Sequence, residues 1–497
     1  MHRLLRHAAT LILILISVYA WGCLYAYWSG TRHWAQVKAM LQSEGETIEF
    51  ARLFPPRVDE ATNFCAIEAL DGIALEGDEQ SPQGRKRKAL VELGWTKKAS
   101  TGPLIAGGRA WGHKSDLAAW ARFARDTGFI QMPPDSGNAA RDLLLAIDRS
   151  QPLIKVLADA AVSHPNAGFT PSLRDRPLPS LLFNLTIAYG NAAQNAERAL
   201  VLRALAANEC GDGAAAVSSV LAMLRLCDAL SWEPCAIPLL VSLSAHELAE
   251  EAVWSILEKH AVTESELQAV QGALQKLQFD IRALAAVRGE LAMGIQCATY
   301  MQAGAGNRSG SLRNYPMPWG VLDENKAVIA HLEYEGLIKP LKAGGYANLI
   351  HHVSAMEDEL QSHCGLLHPT YIIAHLAVPA FSGLGDKIFE METVRRQGII
   401  ACSLERYYLQ HHAYPASLLD LVPVFLAAVP ADPMDDHSMR YRRTSDGRYM
   451  IWSVGFDQKD DNGKVNIEPK DKFPARERYK RKRSYKGDWT WQYQPIK

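Results

Sequence analysis

A formal net charge of -1 across 497 residues, 48% of them hydrophobic and 22% charged, gives the chain enough apolar material for large cores. That balance excludes a chain disordered throughout and leaves no global positive field to attract nucleic acid. At ~100 to 200 residues per domain the length implies two or three domains, and of the eight cysteines Cys23 falls in the apolar N-terminal run, so the odd number left outside it argues against a full disulfide framework.

Residues 8–28 form a run of 21 residues without a charge. At ~1.5 Å per residue this is long enough for a hydrocarbon core of ~30 Å, so it is predicted to be a membrane helix. Arg3, Arg6 and the N-terminal amine precede it, Arg32 and Lys38 follow, and Tyr19, Trp21, Tyr25, Tyr27 and Trp28 crowd its far end as an interfacial belt would. The rival reading is a cleaved signal, for which Ala20-Trp21-Gly22-Cys23 offers a distant lipoprotein-like site. Either reading puts the bulk of the chain outside the cytoplasm, anchored in or exported across the cell membrane. The helix is expected to continue over 36–54, ending at Pro55-Pro56.

Residues 57–134 mix short apolar pieces with Gly, Pro and charge, and Arg85-Lys86-Arg87-Lys88 reads as a solvated loop. Leu117, Trp120, Ala121 and Ala124 share one helical face. From 139 to about 299, helical periodicity is broken at Pro and Gly clusters, which predicts a bundle or superhelix. One helix hairpin is expected from 181–207 and 214–230, joined at Gly211-Asp212-Gly213. Thr263 and Glu266 have capping-box spacing and open a single expected helix over 264–299. Cys210, Cys227 and Cys235 lie close enough in sequence for one bridge, although small buried hydrophobes fit them better. Residues 370–380 are apolar but too short for a second span.

Candidate chemistry is sparse. His246 and Glu250 at i and i+4 share a helix face, but the second His of His-Glu-x-x-His is missing, so a polar helix face is expected there. His351-His352 and His411-His412 are adjacent pairs that cannot chelate together and read as surface residues. There is no Gly-x-Ser-x-Gly and no phosphate-cradling glycine loop, which weighs against an enzyme. The acidic loop is the better site: Asp457, Asp460, Asp461 and Asn462 supply hard oxygens within six residues, as Ca²⁺ requires, in a register that rules out an EF-hand.

Around that loop the order of residues is distinctive. A helix carries Val394, Gly398, Ala401, Leu404 and Tyr408 on one stripe and stops at Tyr414-Pro415. Leu418, Leu421 and Val422 follow, then Pro430, Asp432-Pro433 and Tyr441, then Trp452-Ser453-Val454-Gly455 and Asp457, with a hairpin turn at Thr444-Ser445-Asp446-Gly447. This succession resembles the globular head of the major pseudopilin of type II secretion systems, over roughly 70 residues. The resemblance implies a long helix packed on a small antiparallel sheet, calcium in the loop after the Trp-Ser-Val-Gly strand, and a role in protein contacts. A pilin leader with its Gly cleavage site and Phe-Thr-Leu-x-Glu is not found before either helix, so maturation by prepilin peptidase is not expected. Residues 470–486 are basic, and Trp489, Trp491 and Tyr493 alternate as in a strand that adds to the sheet.

The fold expected is therefore mainly α. An N-terminal transmembrane helix (1–34) leads to a mixed region (35–138), an α-helical domain (139–380) and a C-terminal pseudopilin-like α+β unit (381–497). The function expected is a membrane-anchored envelope protein that presents the head to a protein partner in secretion or surface assembly, with the membrane engaged through 8–28 and no nucleic acid. An exported hydrolase with a site between helical domain and head, or a peptide- or glycan-binding helical module, are the alternatives.

Overall fold

The structure is a computed structural model that describes residues 2–73, 80–91, 102–103, 114–169, 173–175, 188–302, 319–363, 371, 375, 379–465 and 487–493. It is mainly α with one small sheet. The first helices are α1 (His2–Ser43), α2 (Pro82–Val91), α3 (Leu117–Thr127), α4 (Ala139–Ser150) and α5 (Pro152–Ser163). Next come α6 (Ala188–Glu209), α7 (Gly213–Ser231), α8 (Ala236–Glu258), α9 (Glu264–Lys276) and α10 (Phe279–Gln302). The last are α11 (Trp319–Glu333), α12 (Lys339–Ala343), α13 (Tyr346–Ser362) and α14 (Pro379–His411). Strands β1 (Arg440–Arg443), β2 (Tyr449–Ser453) and β3 (Trp489–Trp491) form an antiparallel sheet in the order β1-β2-β3.

Contacts divide the chain into two compact units that do not follow the four sequential segments expected. The first comprises residues 1–53, 284–344 and 348–385, and the second comprises 54–283, 345–347 and 386–497. The divisions at 283/284 and 385/386 fall inside α10 and α14, which is why composition gave no sign of them.

In the first unit, α1 is one unbroken helix, and residues Thr10–Ser43 contain a window of mean hydropathy 1.8 with none of it buried, long and apolar enough to cross a membrane. The helix runs through Cys23 and on to Ser43, where the chain turns at Gly45 with φ +76°. From the end of the apolar run onward α1 packs on α11. Gly30 and Gly320 make that crossing possible, because a methyl on either would run into the other helix's backbone. A polar clamp follows. Thr31 donates to Asp323, His33 lies 2.8 Å from Glu324, and Lys326 pairs with Asp323 at 2.6 Å beneath the Trp34 ring. Farther along, Glu46 is buried and accepts from Arg288 at 2.6 Å and Lys342 at 3.2 Å. Burial opposes its ionisation, but the two cations hold its carboxyl below the ordinary glutamate range.

The second unit is built on antiparallel helices. The expected hairpin is present as α6 and α7, closed by Gly211 at φ +81° and capped by Asp212 on Ala215 N–H. Nearly all of α7 is buried, which is why a helix apolar enough to pass as a membrane span serves as a core helix here. The capping box at Thr263 and Glu266 forms as expected, yet the helix it opens stops at Lys276. Leu277 leaves α geometry at ψ 77°, burying its side chain and that of Phe279, and α10 starts afresh. Arg85 to Lys88 lie in α2 instead of a loop, with Arg87 buried and donating to Ile73 O at 3.0 Å. No bridge links Cys210, Cys227 and Cys235, and the last two are buried.

Replacing Gly320 with alanine should destabilise the first unit by about 1–3 kcal/mol, since the α1–α11 crossing has no room for a methyl. A melt of the detergent-solubilised full chain should show the midpoint fall, and an unchanged midpoint would show that the two helices can part without cost.

Candidate functional site

The C-terminal unit is organised by a single carboxylate. After α14 ends at His411, the chain makes a capping box at Ser417 and Asp420 around a 3-10 turn (Leu418–Leu421) and reaches Asp432-Pro433. Asp432 is fully buried. Its Oδ1 accepts from Met434 N–H at 3.1 Å and the Ser453 hydroxyl at 2.7 Å, and its Oδ2 accepts from Val454 N–H at 3.0 Å and Arg440 at 2.7 Å. One side chain thus ties the Pro433 turn, the start of β1 and the end of β2 together. Burial pushes the Asp432 carboxyl up, and the bonds from Ser453, Met434 and Val454 work against that. Arg440 also pairs with Asp435. Burial opposes ionisation of Asp435 as well, but Arg440 and the His437 N–H prevail and hold it below the usual carboxylate range.

The acidic loop follows at once. Asp457 accepts from Lys459 N–H at 3.3 Å and from Gly487 N–H at 3.3 Å. Asp460 accepts from the Trp452 indole and from Asn462 N–H, both at 2.9 Å, and its other oxygen is 3.7 Å from Arg440. Asp461 faces Lys459 at 3.3 Å, and the Asn462 carbonyl accepts from Arg442 at 2.9 Å. The four residues therefore share one loop but turn to separate partners. Among the described residues no three acidic, His or Cys side chains converge as a metal site.

A fifth residue, missed in the sequence, closes the loop. Asp488, at the start of β3, accepts from Asp461 N–H at 3.1 Å and Gly463 N–H at 2.6 Å and is nearly fully buried. Burial, with the charges of Asp460 and Asp461 adding to it against the two N–H bonds, lifts its carboxyl to about 6. Its sequence signal was the Asp directly before the Trp-Thr-Trp strand, 25 residues beyond Gly463 and past the basic run. That basic run, 470–486, lies outside the described residues, as do most of 370–380.

The remaining candidates do not assemble a reactive site. His246 and Glu250 do not form an exposed polar face: both are fully buried on α8, 3.1 Å apart, with Gly398 leaving room for the Glu250 carboxylate. The bulk of α14 covers them, which no periodicity within α8 reveals. His351, His411 and His412 are exposed and His352 is half-buried.

The unit is not a separate bead. Trp254 on α8 donates to Gln492 O and stacks on Tyr493, Gln397 on α14 donates to Trp489 O, and Gln271 on α9 donates to Phe425 O. His260, between α8 and α9, lies 2.7 Å from Glu405, which also accepts from the Tyr414 hydroxyl.

No family model, no curated protein and no solved structure matches this chain.

Asp432→Ala should cost about 3–5 kcal/mol, because it leaves two backbone N–H groups and the Ser453 hydroxyl without their acceptor and takes one carboxylate partner from half-buried Arg440. Ser453→Ala should cost only about 1 kcal/mol. Urea unfolding checks both, and equal costs would contradict the central place given to the carboxylate.

Proposed function

We propose that the chain is a membrane-anchored envelope protein that presents its C-terminal, pseudopilin-like unit outside the cytoplasm for contact with a protein partner in secretion or surface assembly. The observation that carries this reading is the succession of a long helix, the Asp432-Pro433 turn and a three-stranded antiparallel sheet, downstream of an apolar helix long enough to span a membrane. The segment after α14 supplies exposed apolar side chains for contact: Leu419 and Val424 are 72% and 70% exposed, on either side of Pro423. Exposed apolar side chains of that kind on a polar unit suit a protein surface. A photo-activated crosslinker at Val424 should join the full chain to a defined membrane or exported protein in cells, and a crosslinker at exposed Gln410 should not. Crosslinks that are equally diffuse at both positions would overturn the proposal.

Calcium belongs to the same reading. The loop holds Asp457, Asp460 and Asp461 with Asp488 against it, and the Asp488 carboxyl is raised by burial first and then by the charges of Asp460 and Asp461, a charge crowding that a divalent cation would relieve. Binding requires these side chains to leave the partners they have here. Asp488 sits above its unfolded value of about 3.9, so as pH rises from about 4 to 6 the folded state loses a proton that favours it, and stability from this group is lost across that window. Ca²⁺ should restore stability above pH 6 by up to about 2.7 kcal/mol at 100 times its Kd, with little effect at pH 5. Equal melting midpoints in EDTA and in excess Ca²⁺ at pH 7.5 would reduce the loop to a turn held by its own hydrogen bonds.

A further inference from the structure

A second site lies away from the head, in the helical part of the second unit. A cavity of about 450 Å³ opens where the segment around Thr62 pairs with Asn166 and both face the junction of α9 and α10. Its frame is rigid. Phe64 N–H donates to Asn166 O, Asn166 N–H to Thr62 O, and the Asn63 side chain bonds Gly168 through both its oxygen and its nitrogen. The volume is that of a small-molecule site.

Charge sets this cavity apart. Arg282 and Lys276 line it, with Arg225 close behind, and they surround one buried carboxylate, Asp228. Among the described residues only Arg282 forms an ion pair with it, at 3.0 Å. The Lys276 ammonium meets neutral oxygens, Pro165 O and Asn166 Oδ1, both at 2.8 Å. The Arg282 guanidinium, only 4% exposed, lies over the Trp232 ring, and its Nε and Nη1 have no acceptor among the described residues. The Nε of Arg225 also has none. Among the described residues lining the cavity the other carboxylate is Asp59, on its exposed rim, engaged with Ala61 N–H. Three cations against Asp228 and the rim carboxylate leave a net positive charge in a partly buried place, and buried charge that is not compensated within the protein calls for a counter-charge from outside. Burial disfavours the charged form of all three cations and lowers Arg282 to about 10. That is the strain an incoming anion would remove.

We propose that this cavity binds the oxyanion group, carboxylate or phosphate, of a small molecule. Lys276 makes the direct contact by exchanging a neutral acceptor for the anion, since charge-assisted bonds are shorter and stronger. Arg282 supplies its charge from the cavity wall while Asp228 and Trp232 hold it in place. The body of the ligand rests beside Trp232 and the exposed Ile281, and Gln275 and Gln278 are the polar groups within reach of its substituents.

The test is equilibrium dialysis of the detergent-solubilised full chain at constant ionic strength, with inorganic phosphate, succinate and, as a neutral control, glucose. Saturable binding of phosphate or succinate at one site per chain is expected, with none for glucose. Phosphate alone would assign a phosphate ligand and succinate alone a carboxylate. Lys276→Gln, an exposed position, should keep the wild-type melting midpoint and weaken binding at least 10-fold, and Arg282→Gln should abolish it. Binding that is unchanged in Lys276→Gln, or the absence of saturable binding of either anion to the wild-type chain, overturns the proposal.

Discussion

A buried carboxylate with four donors is the constraint on which the C-terminal unit depends. Isolated two-stranded hairpins are marginal in water, and β1 and β2 are only four and five residues long. Asp432 compensates by fixing both ends of that hairpin to the turn that precedes it, so that β3 can dock on a finished edge. The cost of burying the charge is met by Arg440 and by N–H groups that would otherwise need partners of their own. Arg440 then carries the effect outward, through Asp435 and toward Asp460, into the acidic loop.

The sheet in turn is held by helices. Trp491 is fully buried and Trp489 nearly so, while Gln397 and Trp254 satisfy the backbone of β3 and the residue after it. Both faces of β3 are therefore covered, where its alternating aromatics implied one. Helix α14 serves the sheet and the helical region alike: Gly398 gives room to the Glu250 carboxylate on α8, and Glu405 receives His260. The C-terminal strands and the helices that hold them therefore belong to one compact unit.

Local patterns proved legible where one short stretch fixes the outcome. The α6–α7 hairpin, the capping box at Thr263, the turn at 444–447 and the unbroken apolar helix α1 all follow from residues within a turn or two of each other. What depended on distant partners was not legible. The break at Leu277 is set by burial of Leu277 and Phe279, the depth of His246 and Glu250 by α14, and the role of Asp488 by a return of the chain after the basic run. The acidic loop was found from its composition, but the direction of each carboxylate came from Trp452, Arg440 and Lys459, which composition does not place.

That α1 crosses the membrane with the second unit outside the cytoplasm is a proposal, and the orientation of the full chain tests it. Cys210 is an exposed thiol on that unit, while Cys227, Cys235, Cys65 and Cys402 are buried. In intact cells with a permeable outer layer, a membrane-impermeant maleimide should label Cys210, and Cys210→Ser should remove that label. Labelling of Cys210 only after the cytoplasmic membrane is broken would place the unit inside and overturn that proposal.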